Sequence, residues 1–107
     1  MNWASWTTRN VFAGRGGVRT VEAGILTGAL DVHTTWTEDD RLAHVAVQYS
    51  GASEWLRLAG SPASCPSESA SRVLHDAVID AVRAGGAAAL PRPPVPDTAA
   101  PAGRLTR

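Results

Sequence analysis

The chain has 107 residues, 44% of them hydrophobic, and its ten arginines balance ten acidic residues with no lysine present. A chain of this length is expected to form one domain with a modest core. Zero net charge excludes a domain-wide electrostatic footprint for nucleic acid, so that phosphate binding would need a local patch.

The first residues, MNWASWTTRN, lack a basic segment followed by an apolar run, so no signal peptide is expected. No uncharged apolar stretch approaches the roughly 18 residues that span a bilayer. With a single cysteine, Cys65, an internal disulfide and a four-cysteine zinc site are both excluded. The expectation is a cytoplasmic protein without membrane contact. The all-arginine, alanine-rich usage reads as a GC-rich coding bias, not as a selected phosphate-binding set.

Turn signals then recur at twelve-residue intervals: GRGG at 14–17, LTGA at 26–29, EDDR at 38–41 and SGAS at 50–53. The stretches between them are rich in β-branched and aromatic residues, and short strands at this spacing predict an antiparallel sheet. The expected strands are 6–13, 18–25, 30–37, 42–49 and 54–59, joined as a meander. GRGG has glycines like a phosphate loop but lacks the Lys-Ser/Thr and the strand–loop–helix order, so it reads as a turn.

Parity tests the register. A loop at 38–41 pairs Thr37 with Leu42 and sets Trp36, Thr34, Val32 and Leu30 against Ala43, Val45, Val47 and Tyr49. Apolar residues meet apolar residues, as a half-buried face requires. The next loop sets Val47 against Leu56 and Val45 against Leu58. Upstream, the same rule sets Ile25 against Leu30 and Ala23 against Val32. The first loop sets Phe12 against Arg19 and Trp6 against Ile25, which is less clean.

HTTWTEDDRLAH at 33–44 concentrates two histidines and three acids. His33 and His44 fall on adjacent strands as diagonal neighbours, while Glu38, Asp39 and Asp40 sit at the turn tip. A catalytic zinc needs three protein ligands and a structural one four, so the stretch reads as two strands and a solvated turn, and no metal or cofactor is expected. The face opposite the apolar one carries Glu22, His33, Thr35, His44, Gln48, Trp55 and Arg57. A tryptophan beside an arginine on an open sheet is the kind of platform that anchors a partner or stacks a base, unless an N-terminal segment or a dimer mate covers it. His33, His44, Gln48, Trp55 and Arg57 are the candidate partner-binding residues.

Past GSPASCPSESA a helix is expected, with Ser67 as N-cap and Glu68 near the positive end. Its apolar stripe reads Ala70, Val73, Leu74, Ala77, Val78, Ala81 and Val82, stopped by Gly85 and Gly86. The sheet is the partner that such a stripe needs. From Ala87 the chain turns proline-rich, with overlapping P-x-x-P steps from Pro91 to Pro94 and Pro93 to Pro96. The domain is therefore expected to span 1–86, with a disordered tail over 87–107.

The expected fold is α+β: a five-stranded antiparallel meander with one C-terminal helix on one face. No nucleophile elbow occurs, and no catalytic residue is expected. The expected function is a small non-enzymatic accessory or regulatory module that binds a protein partner, or a second copy of itself, through the open sheet face. The first alternative is a nucleic-acid-binding regulator, such as one from a mobile element. The second is a small enzyme that pairs Cys65, ahead of a helix, with a histidine.

Overall fold

The computed structural model describes residues 2–91. An antiparallel sheet of five strands packs one face against a single helix. The strands are β1 (Trp3–Phe12), β2 (Val18–Thr20), β3 (Gly24–Leu26), β4 (Ala29–Thr37), β5 (Leu42–Tyr49), β6 (Leu56–Arg57) and β7 (Ala63–Ser64), and the helix is α1 (Glu68–Ala84). The main sheet runs β1-β4-β5-β6, with β7 paired to β5 farther along, while β2 and β3 form a hairpin of their own.

The β4–β5 register is the one parity demands: Thr37 faces Leu42, Val32 faces Val47 and Leu30 faces Tyr49. Val47 faces Leu56 as expected, and the Leu58 N–H donates to the Val45 carbonyl at 3.0 Å.

Upstream the pairing differs from the expected meander. Residues 18–26 do not run as one strand beside β4. They fold back on themselves, setting Arg19 against Ile25 and Val18 against Leu26. The Thr20 hydroxyl makes this turn, accepting the Ala23 N–H at 3.0 Å and donating to the Gly24 carbonyl at 2.8 Å. With the hairpin outside the sheet, β1 takes the place beside β4. Trp6 faces Thr34 instead of Ile25, and Phe12 faces Ala29 instead of Arg19. A bulge between Thr8 and Val11 interrupts this pair, with Asn10 in the left-handed region at φ 58°, a conformation asparagine tolerates.

Helix α1 has the expected ends. The Ser67 hydroxyl accepts the Ala70 N–H, and the Gly85 N–H closes on the Ala81 and Val82 carbonyls. Its inward face is rotated from the expected stripe. Ser71, Leu74, His75, Val78, Ile79 and Val82 are buried, whereas Val73 is 51% exposed. They pack on Val11, Leu30, Val32, Trp36, Val45 and Val47 from the sheet. None of the helices among the described residues is long and apolar enough to cross a membrane.

GRGG holds the far end of the helix. The Gly14 N–H donates to the Val82 carbonyl at 2.9 Å, and a Cβ on Gly14 would stand 2.3 Å from the Arg83 carbonyl oxygen. A Cβ on Gly85 would meet the Arg15 carbonyl oxygen at the same distance. Only glycine on both sides lets the two backbones touch. The chain stays packed beyond the expected boundary at residue 86: Ala88 bridges Val18, and the Leu90 N–H donates to the Ala59 carbonyl at 2.8 Å. The rest of the expected tail, with most of its P-x-x-P steps, lies outside the described residues.

Candidate functional site on the open face of the sheet

Alternation along the strands turns one side chain in two away from the helix. On β4 these are Asp31, His33 and Thr35, and on β5 they are His44, Ala46 and Gln48. Ala46 faces His33 on one side and Arg57 on the other. Its methyl group leaves a low floor between two large side chains. Trp55, just before β6, closes the far wall, its ring centroid 5.5 Å from that of His33 and the planes tilted by 45°. The result is a concavity of about 260 Å³ walled by Glu22, His33, Thr35, His44, Trp55 and Arg57.

Four of the five candidate residues thus stand together. Trp55 is 40% exposed, and Arg57 and His44 are exposed. His33 is half-buried and shares a hydrogen bond between its Nδ1 and the Thr7 hydroxyl at 2.7 Å. Burial lowers its pKa below the ordinary histidine value. His44 Nε2 lies 3.7 Å from Asp40 Oδ2. The Asp40 carboxyl is held below its usual range by the Leu42 N–H and then by the Thr37 hydroxyl. The turn acids therefore solvate and pin the hairpin. Among the described residues no group of three or more histidines, cysteines and acids is placed to hold a metal ion.

Gln48 is the exception. It is 5% exposed, and its Nε2 donates to Asp31 Oδ2 at 3.0 Å. Its own Oε1 is buried with no hydrogen-bond partner among the described residues. Asp31 draws it in. That carboxylate also accepts from the Ser50 hydroxyl at 2.8 Å, from the Asn10 N–H at 3.1 Å and from Arg9 Nη1 at 3.1 Å. The Gln48 and Ser50 hydrogen bonds, then that of Asn10, hold its pKa below the usual value, and Arg9 adds a smaller pull. The network fixes the bulge of β1, so Gln48 belongs to the scaffold and not to a partner-binding surface.

The hairpin supplies a wall absent from the sheet itself. The Val21 N–H donates to the Arg57 carbonyl at 2.9 Å, and Glu22 Oε1 accepts the Arg57 N–H at 2.8 Å. Glu22 thus reaches the same face by a route other than the expected strand.

Cys65 does not form the nucleophile pair considered above. The thiol is buried, burial pushes its pKa up, and its hydrogen bond goes to the Ser67 carbonyl at 3.6 Å. His33 and His75 make their hydrogen bonds elsewhere, and His44 lies beside Asp40.

Comparison with protein-family models, curated proteins and solved structures returned no match for this chain.

Proposed function

We propose that the chain is a small non-enzymatic binding module that takes a protein partner on the concavity around Trp55. The observation that carries this reading is a tryptophan backed on one side by His33 and open on the other, with Arg57 beside it. Tryptophan and arginine are the residues most enriched where truncation removes binding energy. The concavity, at about 260 Å³, is smaller than the roughly 300–1,000 Å³ of small-molecule pockets. Its rim carries both signs, with Glu22 beside Arg57, which suits a polypeptide better than a polyanion.

The experiment uses the full chain and its Trp55→Ala and Arg57→Ala variants as bait, followed by titration with the purified partner. Each truncation is expected to weaken binding about 30-fold, the equivalent of ~2 kcal/mol, at unchanged melting temperature. Equal affinity for all three chains, or unfolding of Trp55→Ala, would overturn the reading. Salt-sensitive binding of nucleic acid on this face in place of protein would replace it.

A further inference from the structure

We propose that two copies of this chain join antiparallel along β1 and extend their sheets into one. β1 is the terminal strand of the sheet order and the longest strand of the molecule. The Glu38 N–H donates to the Asn2 carbonyl at 2.9 Å, which makes these two a hydrogen-bonded pair. In an antiparallel ladder such pairs alternate. Ala4, Trp6 and Thr8 therefore direct their backbone groups at β4, and Trp3, Ser5 and Thr7 direct theirs outward. None of these outward N–H and C=O groups has a backbone partner among the described residues.

Edge strands of monomers are blunted by charge, proline or a bulge. The stretch WASWTT at 3–8 has none of these, and the first charge, Arg9, comes at the bulge. The opposite margin is treated differently. β6 and β7 have two residues each, and the β2–β3 hairpin is laid across β6.

A second copy suits this edge because an antiparallel strand is complementary to itself about a two-fold axis. With the axis at Ser5, Trp3 faces Thr7 of the other copy, Ser5 faces its counterpart, and each outward donor meets an acceptor. On the open side Trp3, 67% exposed, comes diagonal to Arg9, within reach of a long side chain. On the helix side the small Ala4 faces the large Trp6. The bulge after Thr8 ends the regular stretch, and so ends the pairing.

Sedimentation of the full chain is expected to give twice the 11.2 kDa of one chain. Ser5→Pro removes an outward N–H and leaves the β4 pairing intact, so it is expected to be folded and monomeric. Trp3→Lys puts a charge on the exposed edge and is expected to weaken the dimer by tenfold or more; it also decides the matter if the proline variant does not fold. Amide exchange at Ser5 and Thr7 is expected to slow with rising protein concentration. A wild-type monomer at high concentration, or a dimer that persists in folded Ser5→Pro or Trp3→Lys, would overturn the proposal. Trp55→Ala is expected to remain a dimer, so this interface and the Trp55 site fail separately. Loss of the dimer in Trp55→Ala alone would move the interface to the open face and overturn it.

Discussion

His75 on the helix hydrogen-bonds Thr34, in the middle of the sheet, at 2.8 Å through Nδ1, and Thr8 on the edge strand at 2.9 Å through Nε2. One imidazole thus ties α1 to both β1 and β4 in the layer between helix and sheet, beside the buried Ser71 that accepts the Trp6 indole N–H at 3.0 Å. Burial lowers its pKa below the ordinary value near 6.5, against a smaller upward pull from Asp76. The unfolded chain therefore binds the proton more readily than the folded one. Stability is expected to be full above about pH 6.5 and to fall as pH drops from there through the folded pKa. His33, also lowered, adds to the same slope. Urea unfolding across this range checks it, and His75→Gln is expected to flatten the slope. His75→Ala is expected to cost about 2–4 kcal/mol at neutral pH, because two buried hydroxyls lose their partner and a cavity opens.

The rotation of the helix gives a second test. Val78 is fully buried, and an unpaired carboxylate there costs several kcal/mol. Val78→Asp is expected to abolish the folded circular-dichroism signal. Val73→Asp, at an exposed site, is expected to keep it, as is Asp80→Ala. Unfolding of Val73→Asp would put the stripe back where the sequence pattern had it.

Gly85 and Gly24 both have positive φ, 75° and 67°, yet only Gly85 has backbone against it. Gly24→Ala is expected to cost about 1–2 kcal/mol from conformation alone. Gly85→Ala carries that cost plus the clash with the Arg15 carbonyl, and is expected to be clearly the worse of the two in thermal melts.

A chain ending at Gly86 loses the Val18–Ala88 bridge and the Leu90–Ala59 hydrogen bond. It is expected to melt several degrees below a chain ending at Pro91, for a loss on the order of 1 kcal/mol. Equal melting temperatures would restore the boundary at residue 86.

The β4–β5 pairing was legible because a four-residue turn fixes parity and Leu30, Val32, Trp36, Val45 and Val47 then share one buried face. The pairing of β1 was not. The hairpin turns at Val21–Ala23 and closes on Gly24 at φ 67°, a three-residue loop whose one local signal, that glycine, falls inside the stretch read as a single strand over 18–25. Asp31 was unreadable for the same reason: its partners Arg9 and Asn10 arrive only once β1 lies beside β4. The helix phase slipped because Ala70, Ala77 and Ala81 mimic a stripe while burying little, and Ile79 outweighs them. Ser71 and His75 meet hydroxyl and indole partners that only the tertiary fold supplies. On the open face, parity alone located His33, His44, Trp55 and Arg57. Gln48 shares their parity and differs only in having a buried acid beside it.

Because α1 follows every strand, it is also the last of these elements to leave the ribosome. Until it does, Val32, Val45 and Val47 have no cover, and the sheet lacks the layer that makes it stable. The β4–β5 hairpin is local and cheap to close, whereas β1 waits across the whole hairpin excursion for its neighbour. A nascent chain halted before Pro66 would thus hold all its strands with a naked apolar side. The apolar face of the sheet is therefore completed only when the helix is available to cover it.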